Sequence, residues 1–416
     1  MRVLIVNTSE ATGGAAIAAN RLMEALKDNG VKATMMVRDK QTSQITVSST
    51  GNKWMMALRF LWERFLIYIA MGFKKKNIWL VDLANVGTDI TSTDEFRQAD
   101  VVHLHWVNQG FLSLSDIKKI LNSGKRVVVT MHDQWYFTGI CHYAADCVKF
   151  KQECKDCPLL KRKVFGGDFA KKTFRRKKEI FDNAKVSFVG CSRWMKEQAE
   201  QSAIARTHEV VNIPNPIDTT HFAPTDKAVA RRKMGLPSEG KVILFVSQKI
   251  TDERKGFAYL IEACNNQKNS NPELSEQITV ELVGTNSSEV KSYVPFDVTT
   301  VDYISDESQM IDLYNAVDLY VTPSLQDNLP NTIMEAMSCA VPCVGFNVGG
   351  IPVMIDHKIN GYVAQYKDSE DFARGIEWAL SPDHYNELSK KAREKVLHEY
   401  SESHIARLYT DIYESK

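Results

Sequence analysis

Charge of either sign is almost absent as an excess: 52 lysines and arginines stand against 51 aspartates and glutamates in 416 residues. So close a balance argues against a protein that holds nucleic acid by bulk electrostatics, and no nucleic-acid partner is expected. No apolar run reaches the roughly twenty uninterrupted residues of a membrane span. The nearest approach, residues 54–73 (WMMALRFLWERFLIYIAMGF), is broken by Arg59, Glu63 and Arg64. It reads either as an interfacial helix, with Trp54 and Trp62 on its apolar side and Lys74, Lys75 and Lys76 at its end, or as an ordinary helix packed on a sheet. The interruptions favour the second. The opening MRVLIVN is a strand with no basic leader before it, so the expected location is cytoplasmic, with any peripheral contact at the inner face of the membrane. Internal repeats and low-complexity segments are absent. So is a strand-linked Gly-x-Gly-x-x-Gly, which counts against a dinucleotide oxidoreductase. No Asp-x-Asp lies near a strand end, which removes the usual metal-holding motif for a diphosphate.

What is present is alternation. A strand at 3–6, a loop with Gly13 and Gly14, an alanine-rich helix stopped by Gly30 and a strand at 32–37 make a βαβ unit. Strands follow at 101–105, 126–131, 186–189, 244–246, 278–282 and 319–321, with helical patterns between them. Such alternation predicts an α/β chain whose parallel sheets are covered on both faces. The length predicts about two domains. Ile213-Pro214-Asn215-Pro216-Ile217-Asp218 carries two prolines in three residues and continues neither a helix nor a central strand, so the boundary is placed there. The expected division is 1–215, 216–395, and a C-terminal helix 396–416 that packs back on the first domain.

The densest stretch is 319–361. A β-branched run ends at Pro323, a polar loop follows, and from Pro330 an apolar stripe at helical spacing begins. A second strand and the Gly349-Gly350 turn come next. Ligands in open parallel sheets bind where strand ends meet helix starts, and here that place holds Asp327, Asn331 and Glu335. Carboxylates there suit vicinal hydroxyls, and open N–H groups at the helix start suit a phosphate. Loop capping by Asp327 and a solvated Glu335 would explain the same residues equally well.

Taken together these motifs resemble retaining glycosyltransferases of the GT-B fold, glycosyltransferase family 4 (glycosyl transferases group 1) above all. Asp327 to Glu335 resembles the family's E-x7-E element, Asn215-Pro216-Ile217-Asp218 with Phe222-Ala223-Pro224 its hinge, and Lys249 with Lys255-Gly256 its Arg…Lys-Gly phosphate grip. Two departures stand out: Asp327 is one methylene shorter than glutamate, and Lys249 offers a point charge in place of arginine's planar fork. The resemblance implies two Rossmann-like doubly wound domains facing across a cleft, with the acceptor on the N-terminal one and the donor on the C-terminal one.

It also implies the roles. Lys255, Lys249 and the backbone around Gly13, Gly14 and Leu329, Pro330, Asn331 and Thr332 would take the leaving diphosphate's charge with no catalytic cofactor. Asp327, with Asn328 beside it, would meet hydroxyls of the transferred sugar, Glu335 the ribose, and Gly284 and Thr285 the base. His132, delivered by a strand's C-terminal end, would lie near the anomeric centre. His103 and His105, two apart on one strand, are read as facing opposite sides of the sheet, with His105 and Trp106 on the acceptor side. The implied reaction moves a hexose from a UDP- or GDP-linked sugar to a glycan or lipid-linked oligosaccharide, in bacterial surface polysaccharide synthesis. A nucleotide-sugar epimerase and a non-catalytic nucleotide-sugar binder remain as alternatives.

Four of the eight cysteines, Cys141, Cys147, Cys154 and Cys157, cluster after His132, with His142 adjacent. Their C-x2-C pair fits half of a structural zinc site, with reduced thiols as the equal alternative and disulfides behind both. The basic runs 161–163 and 171–178 read as solvated faces, or as attraction to an anionic membrane or a lipid-diphosphate acceptor.

Overall fold

Apolar strands separated by helices close into parallel sheets because both faces must be covered. In the computed structural model, which describes residues 1–75, 77–164 and 166–415, the chain forms two such sheets. Lys76, the last of the three lysines after the apolar segment, and Lys416 lie outside the described residues. Two compact units result: Met1–Pro216 together with Glu402–Lys416, and Ile217–Ser401.

The first unit holds strands β1 (Arg2–Ser9), β2 (Lys32–Asp39), β3 (Val47–Ser49), β4 (Val101–Leu104), β5 (Arg126–Met131), β6 (Ser187–Gly190) and β7 (Glu209–Asn212) in the order β3-β2-β1-β4-β5-β6-β7. The second holds β8 (Lys241–Lys249), β9 (Ile278–Thr285), β10 (Asp297–Val301), β11 (Leu319–Thr322), β12 (Cys343–Phe346) and β13 (Gly361–Ala364) in the order β10-β9-β8-β11-β12-β13. Both sheets are doubly wound, with strand order reversing between β1 and β4 and between β8 and β11. Those reversals open the crevices where such folds bind ligands.

Helix α1 (Gly14–Asp28) buries its alanine- and leucine-rich face against β1 and β2. The same cluster takes in Ile405, Ala406, Tyr409 and Tyr413 from the helix Glu402–Glu414. The helix Pro382–Glu399 runs through residue 395 without a break, so the crossing back to the first unit falls between Ser401 and Glu402. Ile217 N–H donates to the carbonyl of Tyr400 at 2.9 Å, so the two connecting passages begin side by side.

Helix α2 (Lys53–Ala70) departs from the expectation of an ordinary helix packed on a sheet. Leu66, Ile67 and Met71 join Val81, Leu83, Ile140 and Ala170, none of them in a strand of the sheet. Two of the three charges taken as interruptions, Glu63 and Arg64, are on its buried side. Glu63 accepts N–H bonds from Leu83 (2.9 Å) and Ala84 (2.6 Å), and Arg64 pairs with Asp82 at 2.9 Å. No helix among the described residues is long and apolar enough to cross a membrane.

Candidate functional site

In the second unit, β11 ends at Pro323 and the helix Asn331–Ser338 starts after Pro330, whose φ of −64° suits a helix entry. The loop between them is held from both sides. Gly256 (φ +72°) lies so near that an added Cβ would sit 1.8 Å from the Pro323 carbonyl oxygen. A Cβ added to Gly349 (φ +59°) would likewise sit 1.9 Å from Asp327 O, and Gly350 N–H donates to that oxygen at 3.1 Å. Only glycine combines that backbone with that proximity. Leu325 N–H donates to Arg254 O (2.7 Å), and the Arg254 guanidinium donates to Gln326 O (3.0 Å). Two glycine motifs nearly a hundred residues apart therefore shape a single loop.

Inside this loop Lys255 Nζ meets Asp327 Oδ2 at 2.6 Å. Burial alone would raise the Asp327 carboxyl, but the charges of Lys255 and Arg254 outweigh it and hold the group below its ordinary value. Glu335, buried on the helix, accepts a 2.8 Å hydrogen bond from Tyr314 OH, and Tyr320 OH donates to Thr332 at 2.7 Å. Asn328, Leu329 and Pro330 are buried, while Asn331 and Thr332 are half-buried. Lys249 is exposed at the end of β8, in register with Thr285 at the end of β9, and Gly284 lies against the Ser247 carbonyl. Lys249 and Thr285 therefore end β8 and β9, and Lys255 and Asp327 follow the carboxyl ends of β8 and β11.

In the first unit Gly13 caps α1, accepting from Ala16 and Ile17 at 3.1 Å, and Gly14 opens the helix. His132 is half-buried just past β5. Its Nε2 lies 2.8 Å from His105 Nδ1, and its Nδ1 lies 3.5 Å from Cys191 Sγ. His105 is buried, so it stands behind His132 rather than lining an open surface. His103 and His105 occupy one side of the sheet, not two, with ring centroids 4.2 Å apart; side chains two residues apart on a strand share a face. His103 is also held by Tyr413 OH (2.8 Å) and Thr130 Oγ1 (2.7 Å). Burial keeps all three rings neutral, pushing His132 down to about 4 and His103 to about 3. His132 is thus a neutral hydrogen-bonding group at ordinary pH.

Beside it runs a buried chain of alternating charge that the sequence did not reveal. Trp106 Nε1 donates to Asp133 at 2.8 Å, His142 Nδ1 lies 2.7 Å from Asp133, and His142 Nε2 lies 3.6 Å from Asp82, the partner of Arg64. Burial opposes protonation of His142, but the two aspartates overcome it and lift the ring to about 9. Burial and the Asp82 charge together raise Glu63 well above its ordinary value. The one available signal was a charged pair inside an apolar helix, which requires buried partners elsewhere. Lys177, from the basic run 171–178, is also fully buried. It donates to the carbonyls of Trp135 and Thr138 and lies 3.4 Å from the Trp135 ring centroid.

Cys141, Cys147, Cys154 and Cys157 are free thiols that line one void of about 20 Å³. As they stand, no group of three or more histidine, cysteine, aspartate or glutamate side chains among the described residues is arranged to hold a metal. Burial pushes Cys141 up to about 12 and Cys154 to about 11.

Residues 240–382, all in the second unit, match the family model of glycosyl transferases group 1. An uncharacterized glycosyltransferase of Methanocaldococcus jannaschii is 24% identical over 365 residues, covering 80% of this chain and 89% of that protein. The D-inositol 3-phosphate glycosyltransferase of Thermobispora bispora is 27% identical over 197 residues, 44% of this chain and 46% of its own length. Among solved structures, Anabaena HepE in complex with UDP-glucose superposes with a TM-score of 0.67 at 15% identity, covering 99% of this chain and 98% of that one. The fold is GT-B, and the second unit carries the match to glycosyl transferases group 1.

Proposed function

We propose that the protein is a retaining hexosyltransferase that moves a sugar from a nucleotide diphosphate to a glycan or lipid-linked oligosaccharide, in bacterial surface polysaccharide synthesis. The observation that carries this reading is the Lys255–Asp327 pair, held in a loop shaped by Gly256 and Gly349, with Glu335 one helical turn into the helix that follows. As the anomeric C–O bond stretches, the leaving diphosphate gains charge. Lys255 would exchange Asp327 for that phosphate, and Lys249 and the N–H groups at the start of the helix Asn331–Ser338 would join it. Such charge-assisted bonds contribute about 1.5–3 kcal/mol each. Asp327, released from Lys255, would turn to the sugar hydroxyls, and Glu335 would hold the ribose. On this reading both carboxylates bind and neither is a nucleophile. The phosphate charge falls to lysine rather than a divalent cation, in keeping with a sequence that has no Asp-x-Asp near a strand end. Neutral His132 would exchange the weak contact of its Nδ1 with Cys191 for a hydrogen bond at the sugar, with His105 fixing its ring and Trp106 on the acceptor side.

The Anabaena protein of this fold was solved with UDP-glucose, which makes uridine the first base to try. A melting-temperature panel of UDP, GDP, ADP and their sugars tests the donor site, since ligand at a hundred times its dissociation constant stabilises by about 2.7 kcal/mol. One nucleotide should raise the melting temperature of the native protein, and Lys255→Ala should abolish the rise and lower turnover about 10²–10³-fold. Loss of turnover in Glu335→Gln with donor affinity intact would overturn the binding assignment. Release of free nucleotide with an epimerised sugar, and no transfer, would favour the epimerase alternative.

We also propose that the four clustered cysteines hold a structural zinc. They line one small void, and Gly139 N–H already donates to Cys154 Sγ at 3.2 Å, a contact suited to a thiolate. Protein purified without chelator should carry about one zinc per chain. Four titratable thiols with no metal would remove the zinc and leave the loop held by its packing, Lys177 and the His142–Asp133 pair.

A further inference from the structure

Helix α2 turns Glu63 and Arg64 inward beside Leu66 and Ile67, and it keeps a second apolar stripe outward. Trp54 (80% exposed), Met55, Leu58 (60%), Leu61 (59%), Trp62 and Phe65 all face solvent. At 100° per residue they fall within an arc of about 120°. The opposite side is fixed to the unit by Glu63 on the Leu83 and Ala84 N–H groups and by Arg64 on Asp82 and on the Ile78 carbonyl at 2.7 Å. The helix therefore cannot roll its apolar face inward without stripping buried charges of their partners.

The outward face has a cationic border and no exposed carboxylate on the helix, whose one acidic residue is the buried Glu63. At its C-terminal end Lys74 and Lys75 are exposed, and Lys161, Arg162 and Lys163 come alongside. The N–H groups of Lys161 and Arg162 donate to Ala70 O at 2.8 and 2.9 Å, and the Arg162 guanidinium stacks 4.9 Å from the ring centroid of the exposed Phe73. Tryptophans on an apolar stripe bordered by lysines are the arrangement of a helix lying in a lipid interface.

We infer that this face of α2 docks on an anionic lipid surface, lying in its plane with Trp54, Leu58, Leu61, Trp62 and Phe65 inserted and the basic border on lipid phosphates. Charge complementarity selects this occupant over a second copy of the chain, which would bring another cationic border to the same contact.

The test uses the full chain and sedimentation with vesicles of pure phosphatidylcholine or of phosphatidylcholine mixed with phosphatidylglycerol. The protein should sediment with the anionic vesicles, less so as salt rises, and stay in solution with the neutral ones. A Leu58→Glu, Leu61→Glu double variant should keep its melting temperature and lose vesicle affinity about tenfold or more, and Lys74→Glu with Lys75→Glu should weaken it in the same direction. Wild-type protein that ignores anionic vesicles, or a double variant that binds as well as wild type, overturns the inference. So does a concentration-dependent dimer in light scattering that the double variant abolishes, since the face would then belong to self-association.

Discussion

At the scale of single residues, the buried histidines make opposite claims about pH. An unfolded chain protonates its imidazoles near 6.5. Folded His132 resists until about 4 and His103 until about 3, because burial penalises the cation. The unfolded state then binds more protons, so their contribution to stability is full above 6.5 and lost as pH falls through 4. His142 runs the other way: lifted to about 9, its contribution is full below 6.5 and lost as pH rises through 9. Urea midpoints should therefore fall on both sides of neutrality. His132→Asn should flatten the acid limb and leave the alkaline one in place. In NMR titration the His132 ring should shift with a midpoint near 4; a midpoint near 6.5 would show the ring solvated and its neutral role unfounded. The strand-end and helix-start positions of Asp327 and Glu335 were legible from spacing, and Lys255 was legible only through the family resemblance. That Lys255 and Asp327 pair directly was not, because spacing says where a residue enters a site and not what it touches there.

At the scale of elements, the central strands were legible and the edges were not. β3, β7, β10 and β13 border the two sheets, and each lacks the continuous apolar run that revealed the strands between them. A border strand is paired on one side and partly solvated, so a run such as Asp297–Val301 needs little hydrophobicity. Helix α2 was legible as a helix, but its orientation depended on partners at Asp82 and His142 that no local pattern signals. Arg64→Met should cost about 3–5 kcal/mol in urea unfolding, because it strands the Asp82 charge in the interior. The glycine pair offers an internal control. Gly349→Ala meets the Asp327 carbonyl and takes on left-handed strain of about 1–3 kcal/mol, so melting temperature and donor affinity should fall together. Gly350, at φ −91°, carries no left-handed strain, so alanine there should leave out that part of the loss.

At the scale of the whole molecule, the chain completes its first unit last. Tyr413 on His103 and Tyr409 on Thr130 (2.9 Å) tie the helix Glu402–Glu414 into the sheet, and Ile405 and Ala406 cover α1. Removing residues 402–416 should strip hydrogen-exchange protection from β1, β4 and β5 while β8, β9 and β11 keep theirs. Equal protection in all six would mean that the helix is an accessory. The discontinuity also dictates a timetable during synthesis. The apolar side of α1 leaves the ribosome early, but its cover is made only after Ile217–Ser401. At 5–20 residues per second, making Ile217–Ser401 alone takes roughly ten to forty seconds. For that time the nascent first unit offers an uncapped greasy seam beside a second unit free to fold ahead of it, and it is then that a chaperone would have its one clear task.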